Sequence, residues 1–360
     1  MTSPAERSLP GRRASIIGTG LIGGSLGLAL RERGWHVTGR DRDDERAAAA
    51  LELGALDAVG DDPDAELTFV ATPVGAVAAE AATALKAGGV VTDVGSVKAS
   101  IVDAVGDARF VGGHPMAGSE QEGVEGADPQ LFSGAVWVLT PTAGTDPAAH
   151  VLVRSVVSSI GAEVVELPPE RHDALVAVVS HVPHLTAAAL MGLAAERAGE
   201  HEALLRLAAG GFRDMTRIAA GSPGIWPDIC VENRSAISEV LGRLEGALAS
   251  VRALVEAEDR GGLLAELEAA RSARANLPGR AADPAQLAEV RVPVPDRPGV
   301  LAEVTTLASE LQVDIADVEI AHSSEGEAGV LILTVDEERV ERLRGGLVAR
   351  GFRPSARRLS

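Results

Sequence analysis

Apolar positions along this chain fall into three textures. Between residues 12 and 168, short β-branched runs alternate with Ala-rich stretches of helical period. The runs Ala14–Ile17, His36–Thr38, Leu67–Ala71, Val90–Val94, Phe110–Gly112 and Ala135–Leu139 predict strands, and Glu163–Leu167 closes the region. Strands separated by helices imply βαβ units, hence an α/β domain with a parallel, doubly wound sheet. Over residues 169–282 the texture turns to long Ala/Leu-rich helical runs with almost no strand signal. Helices without a sheet must bury apolar faces on one another or on a second subunit. An all-helical dimerisation domain is therefore expected, in a homodimer. Leu277-Pro278-Gly279 and Asp283-Pro284 then read as a linker. Residues 286–360 predict strand (Leu287–Val292), helix (Val300–Leu311), strand (Val313–Ala321), hairpin (Ser323–Glu327), strand (Ala328–Val335), helix (Glu337–Arg350) and a last strand near Phe352. That order, βαββαβ, is ferredoxin-like.

Composition narrows the function. Aromatic residues are 2% of the 360 and Tyr is absent, so cores must be aliphatic and no phenol is available as acid or base. The formal charge of −19 argues against nucleic acid or an anionic membrane as partner. An anionic ligand would need local positive potential, and Lys occurs only at Lys86 and Lys98, so Arg must supply most of it. Cys230 is the only cysteine, which excludes an internal disulfide and a thiolate metal cluster. Met1–Arg13 is polar, and no stretch reads as long and apolar enough to span a bilayer. A cytoplasmic protein is expected.

Gly18-Thr19-Gly20-Leu21-Ile22-Gly23 is a GxGxxG motif between a predicted strand and a helix, the context that gives it meaning. Its glycines let backbone approach a pyrophosphate, whose charge then sits on the helix N-terminus. Gly18, Gly20, Leu21, Ile22 and Gly23 are the candidate contacts. The second strand leads into Arg40-Asp41-Arg42. Asp41 is placed to accept hydrogen bonds from the adenosine ribose hydroxyls, which favours NAD. Arg40 and Arg42 leave open a 2′-phosphate instead.

Ligands of doubly wound sheets bind beyond the carboxyl ends of strands. Thr72, Ser96 and His114 follow three such ends, so Thr72 and Ser96 are expected at the cofactor and Ser96 and His114 in the chemistry. Gly112-Gly113 and Pro115 suggest an exposed loop around His114. Further along, His181 and His184 of Ser180-His181-Val182-Pro183-His184 share a helix side, with Pro183 kinking the helix. No carboxylate lies at a helpful spacing, so no metal is expected. In Gly210–Arg217, Arg213 and Arg217 offer guanidinium groups that clamp carboxylates. For Arg213 a solvated or Asp214-paired role is equally open.

Together GTGLIGGSLG (Gly18–Gly27), DVGSVK (Asp93–Lys98), GHPMAGSEQEG (Gly113–Gly123), SHVPH (Ser180–His184), GGFRDMTR (Gly210–Arg217) and Trp226-Pro227-Asp228 resemble prephenate and arogenate dehydrogenases over about residues 13–275. The resemblance implies a Rossmann-like domain and NAD-dependent oxidative decarboxylation, yielding an aromatic ring. It implies that His114 takes the proton of the ring hydroxyl and Ser96 orients that hydroxyl near the nicotinamide. By the same resemblance Arg217 holds the ring carboxylate, His184 sits near the substrate side chain, Ser180 and Trp226 line the pocket, and Glu120 forms a gate with an Arg. Asp296-Arg297-Pro298-Gly299-Val300-Leu301 resembles the signature turn of an ACT domain, which implies an amino-acid effector, tyrosine first. The rivals are arogenate as substrate, a β-hydroxyacid dehydrogenase (neither Lys86 nor Lys98 is placed as its catalytic lysine), and a catalytically silent sensor of NAD and an amino acid.

Overall fold

A computed structural model describes residues 12–118, 121, 123–198, 207–275, 287–295, 297–322 and 328–358. The chain divides into two compact units, one running to Gly246 and one beginning at Ala247.

The first unit is built on eight strands: β1 (Arg13–Ile17), β2 (His36–Arg40), β3 (Ala58–Val59), β4 (Leu67–Val70), β5 (Val90–Asp93), β6 (Phe110–Pro115), β7 (Val136–Thr140) and β8 (Glu163–Glu166). Their order is β3-β2-β1-β4-β5-β6-β7-β8. Strand direction alternates successive side chains between the two faces. Ile16 and Phe69 accordingly enter one core with Leu26, Phe132 and Trp137, while Ile17 and Val70 enter another with Val77, Val91 and Ile229. Helices α1 (Leu21–Arg31), α2 (Asp44–Glu52), α3 (Val74–Ala87), α4 (Ala99–Val105) and α5 (Pro147–Ser159) connect the strands. Two features depart from the pattern-based expectation. β3 is only two residues long, too short to show periodicity. The β6–β7 pair is antiparallel, so the sheet is not parallel throughout.

The helical run of this unit comprises α6 (Pro169–Val176), α7 (Val182–Ala198), α8 (Gly210–Thr216), α9 (Trp226–Glu232) and the start of α10 (Arg234–Glu256). Between α6 and α7 the backbone makes a π turn, Ala177–His181. Pro183 explains it: proline has no N–H and its ring crowds the carbonyl four residues back, and the wider turn accommodates both without ending the helix. The resulting run Pro169–Arg197 is 29 residues long and holds a window of mean hydropathy 1.6. It therefore passes a length-and-composition test for crossing a membrane, contrary to the sequence expectation that no stretch would. The charged head at Arg171–Asp173 and the internal proline disguised its continuity. Ala177 and Val182 pack against Ile237 of α10, with Leu185, Val240 and Leu244 around them.

In the second unit α11 (Arg260–Ala275) precedes β9 (Leu287–Pro295), α12 (Val300–Glu310), β10 (Ile315–His322), β11 (Ala328–Asp336), α13 (Val340–Ala349) and β12 (Ser355–Arg358). The antiparallel sheet runs β10-β11-β9-β12, the ferredoxin-like order. Val290, Val292, Leu331, Leu333, Val304 and Leu343 form its core. The expected hairpin Ser323–Glu327, the linker prolines, and Asp296 of the signature turn lie outside the described residues.

Candidate active site

The sheet order reverses between β1 and β4, and the GxGxxG turn sits at that reversal. Gly18 has φ +95°, and a Cβ there would lie 2.5 Å from the carbonyl oxygen of Ala71. Gly23 packs so closely that a Cβ would meet the Gly18 carbonyl. Gly20 differs. Its φ of −73° suits any residue, and a Cβ would meet nothing within 4 Å. Neither backbone nor packing demands glycine there; the space it keeps open lies at the N-terminus of α1, where no side chain caps the N–H groups of the first turn, Leu21 and Ile22 included. Such a terminus receives anions. Beside it the Thr72 hydroxyl is buried with no hydrogen-bond partner.

Asp41 is tied into the same turn. Its Oδ2 accepts from the Thr19 N–H at 2.8 Å and its Oδ1 from the Asp43 N–H at 3.1 Å. Arg40 is engaged by Asp61 at 2.7 Å and Glu80 at 2.6 Å. Only the exposed Arg42 is without an ion pair among the described residues near this carboxylate.

His114 is not on an exposed loop. It lies within β6, paired with Val138 of β7, and is 9% exposed. The antiparallel return of β7 is what encloses it, a pairing no local signal announced. Beneath it, Lys98 is fully buried and its ammonium donates to Asp93 Oδ2 and, at 2.8 Å, to the Gly113 carbonyl. Asp93 also accepts from the Gly113 N–H at 3.0 Å and the Gly95 N–H at 2.9 Å. This buried pair pins the backbone on which His114 stands, so Lys98 is not presented to a substrate. Burial, and then the nearby His172, Lys98 and His181, hold the His114 imidazole well below the ordinary histidine range. Ser96, half-buried, sits in the loop between β5 and α4 and makes no hydrogen bond among the described residues.

A partner that sequence reasoning missed meets His114 from α6. His114 Nδ1 lies 2.8 Å from His172 Nε2, and His172 Nδ1 lies 2.7 Å from Asp173 Oδ1. Asp173 further accepts from the Lys98 N–H at 2.8 Å and the Ala99 N–H at 2.9 Å. Asn233 donates to the Asp173 carbonyl at 2.9 Å and lies 3.2 Å from His181 Nδ1. A His-Asp dipeptide at a helix start has no distinctive spacing, which is why it passed unnoticed.

His181 and His184 both meet Trp226, the first edge-on at 6.1 Å and the second stacked at 3.7 Å. Burial pushes His181 down to about 4, against a smaller upward pull from Asp173. Ser180 is half-buried within the π turn. The helical candidates are thus linked to His114 through Trp226, His181, Asn233 and Asp173. Arg217 stands in a 3-10 turn (Arg217–Ala220) and Arg213 on α8; both are exposed, and Arg213 donates to the Ala208 carbonyl at 3.3 Å. No contact joins either arginine to His114. Glu120 lies outside the described residues. Among the described residues no group of three or more His, Cys, Asp or Glu could hold a metal.

Residues 26–166 match the family profile described as prephenate dehydrogenase, nucleotide-binding domain, and residues 168–269 match prephenate dehydrogenase, dimerization domain. The chain is 35% identical over 341 residues to a prephenate dehydrogenase of Bacillus subtilis, covering 90% of this chain and 92% of that one. Among solved structures it is similar to A. aeolicus prephenate dehydrogenase in complex with hydroxyphenyl propionate and NAD+ (TM-score 0.69, 32% identity, 74% of this chain and 99% of the other). It is also similar to Synechocystis arogenate dehydrogenase (TM-score 0.64, 31% identity, 73% of this chain and 98% of the other).

Proposed function

The chain belongs to the prephenate dehydrogenase family, and on that premise we propose that it converts prephenate to 4-hydroxyphenylpyruvate and carbon dioxide with NAD as oxidant, a step of tyrosine biosynthesis. The observation that carries this reading is the buried His114 near the end of β6, in the same sheet whose glycine turn leaves the N-terminus of α1 open. Gly18, Gly20, Gly23 and the first-turn N–H groups of Leu21 and Ile22 would hold the pyrophosphate, Asp41 the adenosine ribose, and Thr72 and Ser96 the nicotinamide end. The pairing of Arg40 with Asp61 and Glu80 removes one of the two rivals for a 2′-phosphate and supports NAD over NADP. When bound, the cofactor supplies the hydride acceptor.

His114, neutral near pH 7 because of its burial, accepts the proton of the ring hydroxyl. Ser96 orients that hydroxyl. Arg217 holds the ring carboxylate until it leaves as carbon dioxide, with Arg213 adding positive potential in an acidic protein. His184, stacked on Trp226, faces the side-chain end with Ser180. A soluble cytoplasmic homodimer, joined through the helical segment of residues 169–282, is the assembly we propose; the exposed apolar residues Val178, Val179, Leu193 and Met215 support it. The likeness to the Bacillus subtilis relative spans 90% of this chain, more than residues 1–285 can hold, so it reaches into 286–360. We assign that segment as an ACT domain through which tyrosine acts.

Arogenate is the second reading of the substrate, favoured by the likeness to the Synechocystis enzyme. Following NADH absorbance with each substrate decides: kcat/KM for prephenate is expected to exceed that for arogenate, and the reverse order overturns the assignment. A silent sensor would show no turnover with either. Tyrosine is expected to inhibit the full chain and to lose that effect in a chain ending near Ala282; equal inhibition of both would mean competition at the catalytic pocket.

A further inference from the structure

We propose that His172 is a positioning residue that fixes which ring nitrogen His114 presents to the substrate. The inference rests on reading His114 as the proton acceptor, and it follows from hydrogen-bond polarity along one buried chain. A carboxylate can only accept. Asp173 accepts two backbone N–H groups at the start of α4, from Lys98 and Ala99, so the 2.7 Å contact with His172 requires the proton on His172 Nδ1. A neutral His172 then offers a lone pair at Nε2. The 2.8 Å contact with His114 is satisfied only if His114 Nδ1 carries its proton. The remaining nitrogen of His114, Nε2, is left as the lone pair, and it has no hydrogen-bond partner among the described residues.

The opposite polarity is disfavoured by the surroundings. A doubly protonated His172 would have to donate to His114, leaving a protonated Nε2 that can accept nothing. That cation would be fully buried, close to a Lys98 ammonium that already faces His114. When His114 takes a proton at Nε2, its Nδ1–H already points at an acceptor, so no ring flip or new partner is required. An imidazole whose second nitrogen is held by an oriented partner is fixed in tautomer and gains basicity.

Two substitutions separate this role from packing. His172→Phe keeps a ring and removes the acceptor; His172→Gln places an amide oxygen near the position of Nε2. His172→Phe is expected to lower kcat on the order of 10–100-fold, with KM for substrate and NAD within about twofold. It also shifts the acid limb of the kcat/KM profile to lower pH, because the protonated imidazole loses its acceptor. His172→Gln is expected to keep kcat within about threefold of the parent. The ¹⁵N spectrum of histidine-labelled enzyme should show His114 Nδ1 protonated and Nε2 unprotonated in the parent and the Gln variant, and mixed tautomers in the Phe variant. A His172→Phe enzyme with parental turnover and an unchanged His114 spectrum overturns the proposal. If the Phe variant does not fold, the parent spectrum decides alone: a protonated Nε2 refutes it. A crippled His114→Asn enzyme beside a normal His172→Phe one would sink only this inference; a normal His114→Asn enzyme would sink the base assignment itself.

Discussion

The sheet end and the helical run of the first unit, which the proposed function brings into one site, are built by opposite means. At the sheet end several charged groups are tied to backbone. Lys98 and Asp93 lock the Gly113 peptide, Asp41 is bound into the glycine turn, and Asp173 caps the start of α4. On the helical run the candidate cations Arg213 and Arg217 are exposed, and apolar Val178, Val179, Leu193 and Met215 face outward. An apolar groove between α7 and α10, lined by Val182, Leu190, Ile218 and Leu244, continues that surface. The described groups of the sheet end bond to one another within one chain, whereas the helical run has the exposure of a half-interface. On the proposed function this is a division of labour, with chemistry built where geometry is overdetermined and substrate binding where a second subunit could finish the pocket.

If that division holds, mutations at the two places should fail differently. His114→Asn, at the rigid end, is expected to lower kcat by roughly 10²–10⁴-fold with little change in KM. Near-normal turnover would remove His114 from the mechanism. Arg217→Ala, on the helical run, is expected to act on binding. Losing one charge-assisted contact of about 1.5–3 kcal/mol raises KM by roughly 10–150-fold. Lysine should rescue only in part because the planar fork is lost. Unchanged substrate affinity would shift the anion-binding role to Arg213. A kcat effect from Arg217→Ala equal to that of His114→Asn would break the comparison itself.

The cofactor pocket belongs wholly to the overdetermined side, and its selectivity should follow. With Arg40 held by Asp61 and Glu80 and Asp41 tied to the Thr19 N–H, kcat/KM with NAD should exceed that with NADP by at least about tenfold, roughly one charge-assisted contact. Equal efficiencies would show that Arg42 governs this corner.

The same contrast explains what could be read from the chain. Strands and the glycine turn were legible because period and φ are local: β4 and β5 begin where the apolar runs begin, β1 one residue earlier, and Gly18 has the positive φ its motif implies. The enclosure of His114 was not legible, because it depends on β7 returning antiparallel, a nonlocal pairing. Neither was the His172–Asp173 chain, since a contact across 58 residues leaves no spacing to detect. The helix through Pro183 was expected with a kink, but the π turn that accommodates the proline has no sequence signature. The burial of Lys98 against Asp93 could not be foreseen from two lysines in 360 residues.

The smallest effect is on stability, and it tests whether the rigid end costs the fold anything. Three imidazoles, His114, His181 and His184, are held below the ordinary histidine value of 6.5, in each case chiefly by burial. The unfolded chain takes up these protons as pH falls through 6.5, while the folded chain takes them up only at lower pH. The unfolded state therefore binds more protons across that window, and stability must fall on acidification. For His181 the window runs from 6.5 down to about 4, below which the folded state charges too and the dependence from this group flattens. His114 and His181, the two buried ones, each contribute a slope of about 1.4 kcal/mol per pH unit within their windows, and the more exposed His184 less. Melting temperatures measured from pH 8 to pH 5 should be level above about pH 7 and decline below it. His114→Asn should decline less steeply than the parent, because one of the three groups is gone. Parallel curves for the two proteins would mean that His114 charges in the folded state as readily as in the unfolded one. Its burial would then not be what keeps it neutral, and the contrast between a rigid, dry sheet end and an open helical run would lose its chemical basis.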